Sequence, residues 1–359
     1  MNTLIDAVKL GESWPSEGLE RVEACPICRS TSRRMELKDL VDKVFGCAPG
    51  KWTLFRCLNC GCAYLDPRPD PHTIGLAYRS YYTHAPTGPR SGYRFIRRLR
   101  EGIANSYRNR LFGTKLEPSI PGGWILAAMA RANAHSLRLD GRGLDRVGRC
   151  KGKLLDIGCG NGSFLGMAEQ AGWECYGVEP DREAESIAAA QGIKILGSHL
   201  DELRGRFDSY FEIVTLNHVI EHVHDPTQTL CDCWAMLKPG GFVWLETPNI
   251  DSIGYQIYSR SWRGLEPPRH LVLFNRHALS TCLTNAGFND IHVLPPRDAV
   301  SYTFSRSAYV AAGSLAEGNP APLSTAENII LKTNMRRARR LVCTNPERSE
   351  FISAMAYKS

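Results

Sequence analysis

From residue 153 onward, short runs of consecutive apolar residues alternate with stretches whose apolar positions recur every three or four residues. Residues 154–157, 174–178, 193–196 and 211–216 have the length and composition of strands buried on both faces. Residues 242–246, 289–294 and 350–357 complete a set of seven, the last expected to run antiparallel. Helices are predicted from Asn161 or Ser163, from the cap Asp181 to Ala190, from Asp225-Pro226 to the Lys238-Pro239-Gly240-Gly241 turn, and from Asn275. The alternation predicts a doubly wound α/β sheet covered by helices on both faces. Ahead of it, Phe95, Ile96, Leu99 and Ile103 recur at helical spacing, and residues 124–130 form an apolar stretch too short to span a bilayer.

Chemistry enters at Asp156-Ile157-Gly158-Cys159-Gly160-Asn161-Gly162, where the first strand meets its helix. Alternate glycines let the backbone bend sharply and let a ligand lie against main-chain atoms. The turn alone is compatible with a nicotinamide or flavin site. Glu179, at the tip of the second strand, is placed to accept hydrogen bonds from ribose hydroxyls, and Ser163 stands where a dinucleotide turn has its third spaced glycine. This combination resembles the cofactor site of class I S-adenosylmethionine methyltransferases. The resemblance implies a Rossmann-like seven-stranded methyltransferase sheet. It assigns Asp156, Gly158, Gly160 and Gly162 to the methionine part and Glu179 to the ribose. Leu200 would lie against the adenine, and Asn217 falls in the polar cluster facing the methyl donor.

Cys25-Pro26-Ile27-Cys28 and Cys57-Leu58-Asn59-Cys60 are two matched knuckles, each able to grip one metal with two thiolates. Four sulfurs suit structural Zn2+, and residues 52–55 read as a strand of a zinc ribbon. Cys47 and Cys62 lie nearby as alternative ligands. Around the knuckles no basic cluster is interleaved with aromatics, so a structural plug is expected rather than a nucleic-acid module.

Ala63-Tyr64-Leu65-Asp66-Pro67-Arg68-Pro69, His218-x-x-Glu221-His222 and Ser261-Trp262-Arg263-Gly264-Leu265-Glu266-Pro267-Pro268-Arg269-His270 resemble segments of methyltransferase-23 proteins. The second also resembles ubiquinone-pathway O-methyltransferases. On this resemblance His270 is expected as general base slightly ahead of His222, with Tyr81, Tyr82, His218 and Arg269 as acceptor contacts. A purely structural His222 and a metal-binding histidine cluster remain alternatives. Residues 217–220, Asn217-His218-Val219-Ile220, depart from the Pro-Pro-aromatic motif of amino-methylating nucleic-acid enzymes.

The net charge of +7 is uneven: residues 84–150 hold 13 Arg or Lys against 4 Asp or Glu. A local anionic partner is expected there, either a diphosphate-linked acceptor or a membrane surface met by the basic helix. No export signal or spanning run is apparent, so a cytoplasmic location is expected, with contact at the inner face of a membrane and the 13 cysteines reduced. The expected organisation is a ribbon over 20–70, a basic helical bridge or substrate cap over 71–150, and a catalytic domain over 151–359 with a lid at 250–275 and an insertion at 295–346. The resemblance implies O-methylation of a sugar hydroxyl in a cell-surface polysaccharide or nucleotide-sugar precursor. The alternatives are a quinone- or polyketide-type acceptor and a non-catalytic zinc-ribbon adaptor.

Overall fold

Two turns of the same construction start the molecule, a computed structural model that describes residues 13–78, 94–146, 151–317 and 320–359. In each knuckle a backbone N–H four residues on closes onto the first cysteine, Arg29 N on Cys25 O and Gly61 N on Cys57 O, at 3.0 and 3.2 Å. Arg29 and Gly61 both have positive φ, which turns the chain back on itself. β1 (Leu19–Glu20) pairs with β5 (Arg68–Pro69). Between them β2 (Arg33–Leu40), β3 (Trp52–Cys57) and β4 (Ala63–Leu65) form an antiparallel sheet.

Three helices follow: α1 (Arg94–Phe112), α2 (Gly123–Met129) and α3 (Arg131–Asp140). The periodic stretch beginning at Phe95 is therefore helical, and it continues beyond Ile103. The apolar run 124–130 is also helical, but its large side chains are exposed rather than buried.

The remainder builds the seven-stranded sheet. β6 (Lys153–Ile157), α4 (Ser163–Gln170), β7 (Glu174–Val178), α5 (Arg182–Ala190) and β8 (Lys194–Gly197) carry the chain to one edge. It returns at β9 (Phe211–Asn217), α6 (Pro226–Met236) and β10 (Leu237–Pro248), then continues through α7 (Ile253–Tyr258), β11 (Val272–Leu273), α8 (Arg276–Asn285) and β12 (Asp290–Val293). α9 (Val300–Ala311), α10 (Thr325–Thr344) and β13 (Phe351–Tyr357) end it. The strand order is β12-β13-β10-β9-β6-β7-β8, with β13 antiparallel to both neighbours. The winding direction reverses between β6 and β9, and the crevice beyond their carboxyl ends is where such sheets bind ligands.

Side-chain caps set the helix starts. Asp181 accepts from Glu183 N and Ala184 N, Asp225 from Gln228 N, and Asn275 from Ala278 N. At 238–241 the expected helix end is instead part of β10. Leu237 already pairs with Phe211, and the register shifts before resuming at Phe242 with Ile213. Gly241 makes this possible, because a Cβ there would lie 2.9 Å from Glu212 O.

Residues 250–275 are not a free flap. β11 pairs with β4, so this stretch completes the N-terminal four-stranded sheet, and Trp262 and Leu271 to Phe274 are buried. Residues 295–346 supply α9 and α10, whose Phe304, Leu331 and Ala338 pack with Ile253 of α7. Among the described residues no helix is long and apolar enough to cross a membrane.

Candidate active site

The glycine turn places three glycines at positive φ for three different reasons. A Cβ at Gly158 would meet Val219 Cγ2 at 2.6 Å, and one at Gly162 would press on Ala188 and Ile193 at 3.1 Å. Gly160 faces open space, so a ligand can lie on its backbone. Glu179 reaches back to the turn: its Oε2 accepts from Gly160 N at 2.7 Å and its Oε1 from Asp181 N at 2.9 Å. Burial pushes Glu179 above the usual carboxylate range. Leu200 opens a short 3-10 turn after β8 and is half-buried, and Asn217 ends β9.

Asp156 is fully buried beneath the turn. Its Oδ1 accepts from Thr215 Oγ1 and from Arg142 Nη1, each at 2.6 Å, while Oδ2 has no hydrogen-bond partner among the described residues. Burial pushes its carboxyl up against the pull of Arg142. An orphaned carboxylate oxygen below an open glycine backbone, with a second carboxylate at the next strand tip, fits the ammonium and ribose of S-adenosylmethionine. Arg142 escaped the sequence reading, since it lies in the Asp140-Gly141-Arg142-Gly143 turn with no motif around it.

Across the crevice, the segment after β9 gathers His218, Glu221 and His222. His218 has positive φ and donates its backbone N–H to Glu246 O at 2.8 Å. Its Nδ1 lies 3.3 Å from Glu221 Oε1. Burial opposes its charge, but Glu221 and Glu246 outweigh it and raise His218 above the ordinary histidine value. Glu221 is fully buried and accepts from Thr247 Oγ1 at 3.0 Å. Burial alone would raise it; His218 and the imidazoles around it reverse the sign and hold it at about 2.

His222 Nδ1 is 3.0 Å from both Arg269 O and Tyr78 Oη. A carbonyl only accepts, so Nδ1 carries the proton and the lone pair is on Nε2. The same reasoning fixes His270, whose Nδ1 donates to Gly264 O at 2.7 Å. His270 is buried and neutral, pushed down to about 4 first by burial, with Glu266 pulling up and His222 pushing down. The two rings meet edge to face at 4.7 Å. One donor atom from each of Glu221, His222 and His270 lies within 4.8 Å of the others, so this cluster can relay a proton or chelate a cation.

Arg269 is not an acceptor contact. It is fully buried, and its guanidinium bonds to both oxygens of Asp42 (2.7 and 3.1 Å), Glu266 Oε1 (3.0 Å) and Ala77 O (2.9 Å). The loop expected to present Arg269 and His270 together turns the arginine inward, because Asp42 and Glu266 lie buried there and need a partner. Tyr81 and Tyr82 lie outside the described residues.

The N-terminal thiols converge. Cys25, Cys28, Cys57 and Cys60 lie within 4.8 Å of one another, with Cys25–Cys60 and Cys28–Cys57 at 3.5 Å. Zinc–sulfur bonds of about 2.3 Å would hold tetrahedral sulfurs roughly 3.8 Å apart, so the set fits zinc. Hydrogen bonds from Cys60 and Cys62 drive the Cys25 thiol far below its usual value. Cys62 stands 3.3 Å from Cys25, outside the tetrad.

A family model described as "Methyltransferase domain" (Methyltransf_23) matches residues 97–293. An Aromatoleum aromaticum protein named ubiquinone biosynthesis O-methyltransferase is 32% identical over 126 residues, 33% of this chain and 53% of the relative. The Nitrosospira multiformis protein of that name is 29% identical over 119 residues, 31% of this chain and 50% of the relative. The chain thus spans about half the length of the curated relatives it matches. Among solved structures, an Archaeoglobus fulgidus SAM-dependent methyltransferase covers 66% of this chain and 100% of its own, at 18% identity and TM-score 0.42.

Proposed function

The chain belongs to the methyltransferase-domain family, and on that premise we propose that it methylates a hydroxyl of a small aromatic acceptor, with His222 taking the proton. The observation that carries this reading is the pinned tautomer of His222. Its Nδ1 proton is held by Arg269 O, which leaves Nε2 as the proton acceptor beside the switch point of the sheet. His270, edge to face with His222 and buried, supports the His222 ring rather than meeting the acceptor.

When bound, S-adenosylmethionine supplies a methyl group on a sulfonium for in-line displacement, so the protein's task is alignment and proton removal. Asp156 and the glycine turn would hold its methionine part and Glu179 its ribose. Leu200 and Asn217 stand at the neighbouring strand ends. A phenolic hydroxyl, with an ordinary value near ~10, loses its proton to an imidazole more readily than a sugar hydroxyl does. The relatives' names, ubiquinone biosynthesis O-methyltransferase, support the phenolic acceptor. The sugar and diphosphate reading has lost Arg269, which pairs with Asp42 and Glu266, and Arg263 of the same loop is paired with Glu266 and Glu317. Cys25, Cys28, Cys57 and Cys60 would hold a structural zinc.

The test measures methyl transfer from radiolabelled S-adenosylmethionine to catechol-type quinone precursors and, in parallel, to nucleotide sugars. Transfer confined to the phenols is expected, with His222→Ala lowering kcat by about 10²–10⁴ while S-adenosylhomocysteine affinity holds. Transfer to sugars alone would overturn the acceptor. Failure of well-folded protein to bind S-adenosylhomocysteine in calorimetry would leave a non-catalytic scaffold.

A further inference from the structure

The hairpin of α1 and α2 is built inside out. On the face of α1 that meets the following loop and α2, the buried residues are small or polar: Gly102, Asn105 and Ser106. Asn105 Nδ2 donates to Pro118 O at 3.0 Å, and Ser106 Oγ accepts from Trp124 N at 3.0 Å. Farther along, Asn109 Nδ2 donates to Leu116 O while its Oδ1 accepts from Leu116 N. Gly123 lets the helices touch, since a Cβ there would sit 3.2 Å from the Ile103 Cα.

At the N-terminal end of α1 and along α2 the large apolar side chains point the other way, while Phe112 at the far end of α1 is buried. Phe95 is 80% exposed, and Ile96 and Leu99 are also exposed on α1. α2 buries only Gly123 and Ala127 and exposes Ile125, Leu126 (58%) and Met129 (76%). Soluble proteins bury such residues, and a concentration of them on one hairpin marks a surface meant for an apolar medium. Arg97, Arg98 and Arg100 are exposed between them and form no ion pair among the described residues. Arg110 stacks over Trp124 at 5.0 Å.

We propose that the α1–α2 hairpin seats the protein on an anionic lipid surface, its exposed apolar side chains entering the acyl boundary and its arginines meeting the headgroups. The charge selects this occupant. An apolar protein groove would satisfy Leu126 and Met129 but would offer nothing to Arg97, Arg98 and Arg100 at the rim, whereas phosphodiester headgroups lie beside acyl chains in the required order. Neither helix is long and apolar enough to span, so the contact is interfacial. Nothing in it depends on the acceptor.

The experiment floats the full chain with vesicles of phosphatidylglycerol mixed with phosphatidylcholine, and with phosphatidylcholine alone. Partitioning is expected on the anionic vesicles only, weakening as salt rises. Leu126→Ser combined with Met129→Ser should lower the partition coefficient by about tenfold per residue. Arg97→Ser, Arg98→Ser and Arg100→Ser together should cost about fivefold each and flatten the salt dependence. Circular dichroism and S-adenosylhomocysteine binding, unchanged in both variants, show that the fold and cofactor site survive. Equal partitioning of wild type and variants, or none on anionic vesicles, would overturn the proposal. So would a lipid-free dimer, seen by light scattering, that the Leu126→Ser, Met129→Ser variant dissolves.

Discussion

The two sides of the crevice are made in different ways. The core of the cofactor side comes from one continuous stretch, Asp156 to Glu179, spanning the end of β6, the glycine turn, α4 and β7, with Arg142, Thr215, Leu200 and Asn217 set around it. The side proposed for the acceptor is assembled from four separated segments. Asp42 and Tyr78 come from the N-terminal part, His218 to His222 from the segment after β9, Glu266 to His270 from the loop before β11, and Glu350 from the residue before β13. A contiguous site needs only local geometry and tolerates change elsewhere. An assembled site depends on whatever holds its segments together, here a shared sheet and a set of buried charges.

The sharpest way to break this contrast is through the cysteines. Cys57→Ser, or chelation, should release the knuckles, because apparent zinc-binding free energy in such tetrads is about 10–16 kcal/mol. β3 and β4 then lose their anchor, and β11 with them. Methyl transfer should fall by at least about 10²-fold, a loss of roughly 3 kcal/mol in transition-state stabilisation. S-adenosylhomocysteine affinity should fall far less. Zinc stoichiometry and calorimetry on the same samples check both halves. Equal loss on the two sides would show that the crevice folds as one unit.

Arg269→Met comes next. It strands Asp42, a buried carboxylate that burial alone would raise and that Arg269 holds low, while Glu266 loses one of its two arginines and keeps Arg263. Breaking a buried pair from one side costs about 3–5 kcal/mol, readable in urea unfolding. A change within 1 kcal/mol would mean the pair is no anchor.

Glu350 offers a pH test of the same side. It accepts from Gly254 N at 2.8 Å and Trp262 Nε1 at 3.0 Å, and burial pushes it up to about 7. The folded state therefore holds a proton that the unfolded chain releases near ~4.5, so stability falls as pH rises from about 4.5 to 7, by up to ~3 kcal/mol. His270, held at about 4, titrates with the opposite sign over much of that range, so the slope is read as the difference in thermal unfolding between wild type and Glu350→Gln. A difference that does not change between pH 4.5 and 7 would refute the assignment.

The smallest effect belongs to the cofactor side. Gly160→Ala has space for its methyl but strains a φ of +57° and crowds the open backbone. About 1–2 kcal/mol of strain corresponds to roughly tenfold weaker S-adenosylhomocysteine binding with acceptor KM unchanged. A larger effect on the acceptor would erase the distinction between the two sides.

The sheet, its seven strands and the glycine turn are legible in the sequence. Strand burial, glycine placement and the caps at Asp181, Asp225 and Asn275 are local properties, set within a few residues of each other. The two knuckles were equally legible, because Cys-x-x-Cys spacing carries its own geometry. Where residues 250–275 and 94–129 pack is set by long-range contacts. Prolines and a basic face read as a lid and a helix, but β11 joins a strand some 200 residues earlier, and Arg269 turns inward to an aspartate just as distant in sequence. Only the fold buries His270 and leaves His222 half-buried, which is the ground on which the proposal prefers His222 as base. Periodicity shows which face of α1 is apolar. Whether that face looks into the protein or away from it depends on which helix packs against it, and that is a long-range fact.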